Sequence, residues 1–245
     1  MNEDGGKPIA YDAYEQMADA YAELIDTKDY NAYIERPTTL SLLPDVKGLR
    51  VLDAGCGPGV YSEWLIQHGA SVVALDSSPK MVEFARQRLG DAVDVYLANL
   101  DRPLTFLDDD SFDLVLSPLV PDYILDWRHL LGEFARVLKE NGVLVFSVEH
   151  PFTKFNLGGT DNYFLTERLV ITWRGFGEAV DVPTIRRPLT AMTKAIVETG
   201  FIIENIVEAF PSKKLRETDP ETYEKTSKFP TFLCFRARRD SQHTK

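Results

Sequence analysis

Val51-Leu-Asp-Ala-Gly-Cys-Gly-Pro-Gly59 is the stretch on which the fold turns. A short apolar run, Arg50–Ala54, meets three glycines at alternate positions, and helical spacing begins at Tyr61 and stops at Gly69. Glycine permits positive φ and lets backbone N–H groups approach a ligand closely. Strand, glycine loop and helix in this order place a crevice outside the carboxyl end of a strand in an open α/β sheet. Spacing narrows the ligand. A dinucleotide fingerprint needs G-x-G-x-x-G, and Val60 stands where the third glycine belongs. A phosphate-binding loop ends in Gly-Lys-Ser/Thr, which this loop lacks.

Outward from the loop, strand and helix alternate. Ala70–Asp76 reads as the second strand, Pro79–Leu89 as a helix opened by proline, Val93–Ala98 as the third strand and Phe112–Ser117 as the fourth. A helix over Trp127–Lys139, a turn at Asn141-Gly142 and a fifth strand over Val143–Val148 follow. Strands separated by helices of about 10 to 15 residues predict parallel βαβ units with both sheet faces covered. After Pro151 the rhythm breaks. A hairpin is expected around Glu167–Trp173 and Val180–Ile185, then a helix over Pro188–Thr199 and closing strands over Phe201–Ala209 and Phe229–Arg238. The expectation is a single α/β domain, 1–245, with a doubly wound, Rossmann-like, seven-stranded and mostly parallel sheet. It divides into an N-terminal helical cap (1–45), a cofactor-binding core (49–150), a lid insertion after the fifth strand (152–187) and the C-terminal part of the sheet (188–239). A long irregular insertion in a compact domain often covers a site.

Asp76 ends the second strand, a position that suits a carboxylate accepting from the two ribose hydroxyls of an adenosine. With the loop before it, the chain resembles the class I S-adenosylmethionine-dependent methyltransferases, whose motif I has the form VLDxGCGxG, and among them the type 11 group. The similarity runs from about Tyr11 to Leu233. It implies S-adenosylmethionine as cofactor and methyl transfer to a small-molecule acceptor. The alternative left open is a protein that binds S-adenosylmethionine for regulation without catalysis. Gly55 and Gly57, with Asp53 and Cys56 in the same loop, would meet the amino-acid part of the cofactor, and Ser77 and Met81 would flank the adenine. Asn99-Leu100 stands where the family often has Asp-Leu, and an Asn amide oxygen still accepts from the adenine amine. Ser117 joins the cofactor set from the fourth strand. In relatives the N-terminal segment folds over the cofactor, which would bring Tyr21, beside Tyr11 and Tyr14, towards a sulfonium, and Arg36 towards the cofactor carboxylate.

Methyl transfer mainly needs alignment, and a base only where the acceptor must first lose a proton. His150 ends the fifth strand in Ser147-Val-Glu-His-Pro151, resembling an S-x-x-H-P signature, and is the candidate base, with a satisfied structural histidine as the rival reading. Asp122 and Tyr123 follow the fourth strand, where relatives often carry a histidine before the tyrosine, and complete the catalytic candidates. Arg187, in Ile185-Arg-Arg-Pro-Leu189, resembles an HRPL-type helix entry with Arg186 in place of the histidine. Arg187 is expected to hold an anionic substrate or the Glu149 region, or else only to cap a lid.

The 245 residues carry a net charge of −11, which argues against a surface that grips phosphate backbones. Cys56 and Cys234, the two cysteines, form no CxxC pair, so neither a disulfide framework nor a metal site is expected. The polar start, Met1–Lys7, lacks an apolar signal core, and no stretch approaches the ~20 apolar residues of a membrane span. The expected setting is cytoplasmic, as a monomer or homodimer, without nucleic acid or membrane.

Overall fold

A computed structural model describes residues 6–241. The first five residues of the expected cap and polar N-terminus, and the last four of the chain, lie outside the described residues.

Three pieces precede the glycine loop and lead into it: helix α1 (Tyr11–Leu24), a π-turn over Asn31–Glu35, and helix α2 (Arg36–Ser41) with Pro37 in its first turn. Alternation then builds the core from β1 (Arg50–Ala54), α3 (Val60–Gln67), β2 (Ser71–Asp76), α4 (Pro79–Leu89), β3 (Asp94–Leu97), β4 (Phe112–Pro118), α5 (Trp127–Val137) and β5 (Leu138–Glu149). The next stretch holds α6 (Pro151–Leu157) and a hairpin of β6 (Glu167–Trp173) and β7 (Val180–Arg186). The chain ends through α7 (Leu189–Glu198), β8 (Phe201–Glu208), the short helices α8 (Lys213–Thr218) and α9 (Pro220–Thr226), and β9 (Phe232–Arg239).

The seven-stranded sheet has the order β3-β2-β1-β4-β5-β9-β8, and β9 alone runs antiparallel to its neighbours. Side chains alternate across each strand. Val51, Val72 and Ala74 therefore enter the core under α3 and α4, while Leu52, Val73 and Leu75 enter the opposite core under α5 and α7. Helix α4 shows how locally the pattern is written: Ser78 caps it by accepting from Met81 N at 3.1 Å, Pro79 opens it, and Met81, Val82, Ala85 and Leu89 bury one face. Strand order reverses between β1 and β4, so the loops after them part and leave a crevice at their carboxyl ends. A third, smaller cluster joins Ala10, Ala13 and Met17 of the N-terminal segment to Phe176, Val180 and Val182 of the hairpin, closing the crevice from above.

Three expectations change. Asn141-Gly142 does not separate helix from strand: β5 already begins at Leu138, and Asn141, at φ 60°, sits in a bulge where the register with β4 shifts. The stretch after His150 opens with a helix, α6, and not directly with irregular chain. Between the two closing strands, where the sequence reading has no element, lie α8 and α9, each capped by its own side chain, Ser212 and Asp219.

Candidate active site

The crevice holds a partly open cavity lined by the glycine loop, the ends of β2 and β4, α1 and the π-turn. Its floor depends on two glycines. Gly55 adopts φ 86°, and a Cβ there would lie 2.2 Å from Val120 Cγ2, so any side chain collides with the loop after β4. Gly57, at φ 54°, faces open space and donates its N–H to Asp76 Oδ2 at 2.9 Å. The other oxygen, Oδ1, accepts from Ser78 N at 2.9 Å. Burial pushes the Asp76 carboxyl up, while these backbone donors pull it down. Cys56 also lines the floor, as a thiol pushed well above its usual range by burial.

Asp53 and Ser117, both expected at the cofactor, do not line the cavity. They stand behind the loop and shape it. Ser62 Oγ donates to Asp53 Oδ2 at 2.6 Å, and Ser117 Oγ to Ala54 O at 2.8 Å, with both residues fully buried. Burial pushes Asp53 up to about 7.

Ser77, Met81, Asn99 and Leu100 form one wall. Asn99 Oδ1 already accepts from Asp101 N at 2.9 Å, and its Nδ2 donates to Gly6 O at 2.9 Å. One lone pair of the oxygen remains for a ligand amine. Arg36 closes the opposite wall. Its Nη2 donates to Ile25 O at 2.8 Å, while its Nε is buried without a partner beside the cavity. Sequence reasoning passed over its neighbour Glu35, which lines the same wall. Glu35 Oε1 accepts from Thr39 Oγ1 at 2.6 Å and Ser147 Oγ at 2.7 Å, and Oε2 accepts from Tyr61 OH at 2.7 Å. Desolvation raises its carboxyl. The π-turn that carries it is its local mark, and period-based reading does not detect π-turns.

The roof is aromatic. Tyr14 packs edge-on against Tyr21, Tyr123 and Trp173 at ring separations of 5.7, 5.5 and 6.3 Å, and Tyr21 meets Phe176 at 4.8 Å. Leu119, beneath it, holds a left-handed φ of 60° fixed by Ser147, whose backbone oxygen and Oγ both accept from Leu119 N. Such strain in a non-glycine residue collects at functional loops.

Of the substrate-side candidates, Tyr123 lines the cavity and four others do not. Asp122 Oδ1 pairs with Lys154 Nζ at 2.8 Å and its Oδ2 accepts from Glu149 N at 2.8 Å. Glu149 faces the same lysine at 3.5 Å, and burial raises its carboxyl. Lys154, fully buried on α6, also donates to Thr184 Oγ1 at 2.8 Å. Its position in the expected lid gave no hint of this role. His150 caps α6: its Nδ1 accepts from Phe152 N at 3.3 Å and its Nε2 meets Glu208 Oε1 at 3.1 Å. Burial lowers its pKa, and neither nitrogen is turned to the cavity lining. Arg187 binds the carbonyls of Ile124 and Leu125 and stacks 5.0 Å over Trp127, which locks the loop after β4; burial lowers it to about 10. The expectation of an anion-holding Arg187 and a cavity-facing His150 is thus corrected by their own hydrogen bonds.

Among the described residues no cluster of His, Cys, Asp and Glu has the geometry of a metal site, and no helix is long and apolar enough to cross a membrane.

Residues 52–146 match the family model of the type 11 group, described as a methyltransferase domain. A malonyl-[acyl-carrier protein] O-methyltransferase of Pectobacterium atrosepticum is 34% identical over 134 residues, covering 54% of this chain and 52% of that protein. An uncharacterized protein of Haemophilus influenzae is 37% identical over 130 residues, 50% of this chain and 51% of the other. The chain therefore spans about half the length of the curated relatives it matches. Among solved structures, an S-adenosylmethionine-dependent methyltransferase from Mesorhizobium loti is 29% identical with a TM-score of 0.69, over 88% of this chain and all of that one. A second such structure, from Listeria monocytogenes, gives 26%, 0.72, 84% and 96%.

Proposed function

We propose, for a chain whose residues 52–146 match the type 11 methyltransferase-domain model, that it is an S-adenosylmethionine-dependent methyltransferase, that the cavity above the glycine loop binds S-adenosylmethionine and that the protein methylates a small molecule beneath the aromatic roof. The observation that carries this is Arg36: a guanidinium with a buried, unpartnered Nε on one wall of a cavity whose other wall ends in Asp76. A buried donor without an acceptor is costly, and a ligand carboxylate satisfies it. S-adenosylmethionine has a carboxylate at one end and ribose hydroxyls near the other, which suits this pair. Bound there, it supplies an electrophilic methyl group on a sulfonium.

The chain's own residues divide the remaining work. Asp76 offers its carboxylate to the ribose, Gly57 leaves room for close approach, and Ser77, Met81, Asn99 and Leu100 hold the base. Tyr14, Tyr21 and Tyr123 line the cavity and exclude water from above, and an aromatic ring beside a sulfonium is worth ~0.5–2 kcal/mol when desolvated. The O-methyltransferase named among the relatives supports oxygen as the accepting atom. The net charge of −11 supports a small-molecule acceptor over nucleic acid, and completes a proposal of a cytoplasmic enzyme, monomer or homodimer. Radiolabelled methyl donor with a metabolite extract tests the activity. Label moving to a small molecule supports it. Binding of the donor without transfer to any extract supports instead the regulatory reading.

A further inference from the structure

The hydroxyls of Tyr14 and Tyr123 lie 3.0 Å apart at the cavity wall, and neither bonds any other protein group among the described residues. Whichever way this hydrogen bond runs, one hydroxyl spends its proton on the other. The other keeps an uncommitted O–H. The rings are held by Tyr21 and Trp173 around Tyr14, and by Arg187, which pins the loop carrying Tyr123. The pair is therefore a fixed donor with nothing of the protein to donate to.

We propose that this uncommitted O–H holds the oxygen of an acceptor carboxylate, so that the second substrate is a carboxylic acid and the product its methyl ester. The inference rests on the reading of the cavity as a methyl-donor site. It follows from what the cavity lacks as much as from what it has. Neither tyrosine is a base: desolvation raises both well above the usual range, helped by Tyr21, Asp76 and Glu149 at Tyr14 and by Tyr14, Glu149 and Asp122 at Tyr123. Each oxygen of Glu35 already accepts from a hydroxyl, Asp76 accepts two backbone N–H groups, and both ring nitrogens of His150 are engaged outside the cavity. An alcohol or ammonium acceptor must shed a proton, and this wall has no group placed to take it. A carboxylate arrives ionised. Its oxygen forms the new O–C bond with the methyl carbon as the C–S bond breaks, the electron pair returns to sulfur, and no proton moves. Lys154 offsets the charge of Asp122 and Glu149 behind the roof, and a second hydroxyl in the hydrogen-bond chain strengthens the first as a donor.

Binding is measured first, on the full chain loaded with S-adenosylhomocysteine, for hexanoate and benzoate against hexanol and benzyl alcohol. The expected result is that an acid binds at least tenfold more tightly than its alcohol. The Tyr14→Phe/Tyr123→Phe double variant should erase most of that margin while leaving S-adenosylmethionine affinity within about twofold, whereas Tyr14→Phe alone, which leaves the Tyr123 O–H free to donate, should keep part of it. With labelled donor, the product should be alkali-labile, and kcat/KM should be flat from about pH 6 to 9. Equal binding of acids and alcohols, alkali-stable label on an alcohol or amine, or a base ionisation within that range each overturns the proposal. So does donor binding with no esterification of any acid offered. Failure to bind S-adenosylmethionine at all would instead remove the donor-site reading beneath it.

Discussion

Tyr61 donates its hydroxyl to Glu35 Oε2 at 2.7 Å, so the helix after the glycine loop is bolted to the turn that precedes Arg36. With Thr39 and Ser147 on the other oxygen, one buried carboxylate joins the N-terminal segment, α3 and β5. Glu35→Ala leaves three hydroxyls short of an acceptor, and a loss of about 2–4 kcal/mol is expected in urea unfolding. Glu35→Gln, which keeps one acceptor oxygen, should lose less than half of that. An Ala variant as stable as the wild type contradicts the assignment.

Asp53 makes stability depend on pH. Its folded value of about 7 lies above the ~3.9 of an unfolded aspartate, so folding favours the protonated form. That contribution is complete below about pH 4 and disappears as pH rises through about 7. Asp53→Asn keeps the shape and removes the ionisation. Relative to this variant, the wild type should lose on the order of 2 kcal/mol between about pH 5 and 8. Parallel stability curves for the two proteins would show that Asp53 does not titrate in this way.

His150 belongs to the architecture of α6. Burial lowers its pKa against the pull of Glu208, so the neutral ring is favoured by folding; that stabilisation is present above about pH 6.5 and lost as pH falls. His150→Ala should cost about 1 kcal/mol through the lost cap at pH 8, and turnover should stay within about threefold. A hundredfold fall in turnover at unchanged stability would restore the histidine as a base.

How much of this was legible in the sequence differs by residue. The bounds of α4 follow from Ser78, Pro79 and an apolar face, and the structure returns Pro79–Leu89 as read. Gly55, Gly57, Asp76, Met81 and Asn99 were legible because a strand–loop–helix fixes where they lie along the chain and in space together. Glu35 and Lys154 were not: each becomes important through partners over a hundred or about thirty residues away, Ser147 for the first and Asp122 and Thr184 for the second. His150 and Arg187 stand where the resemblance located them, but the direction of a side chain is set by local hydrogen-bond partners. Phe152 N and the carbonyls of Ile124 and Leu125 take theirs. Helices α8 and α9 bury only Leu215 and Thr226, too little apolar periodicity to read.

Lys154 is the countercharge for two buried carboxylates. Lys154→Met leaves Asp122 and Glu149 facing each other unpaired, and a loss of about 3–5 kcal/mol is expected. Adding Asp122→Leu should recover part of it, since Glu149 is then the one carboxylate of the pair left without its lysine. If the double variant is less stable than the sum of the singles, the pair is not the source of the loss.

Asp76 carries the central claim, and calorimetric titration with S-adenosylmethionine tests it most directly. The wild type should bind one equivalent. Asp76→Ala should weaken binding at least tenfold, through lost hydrogen bonds to a charged acceptor of about 1.5–3 kcal/mol, with the fold retained by circular dichroism. No heat of binding to the wild type, or the same affinity in the folded variant, would contradict the account.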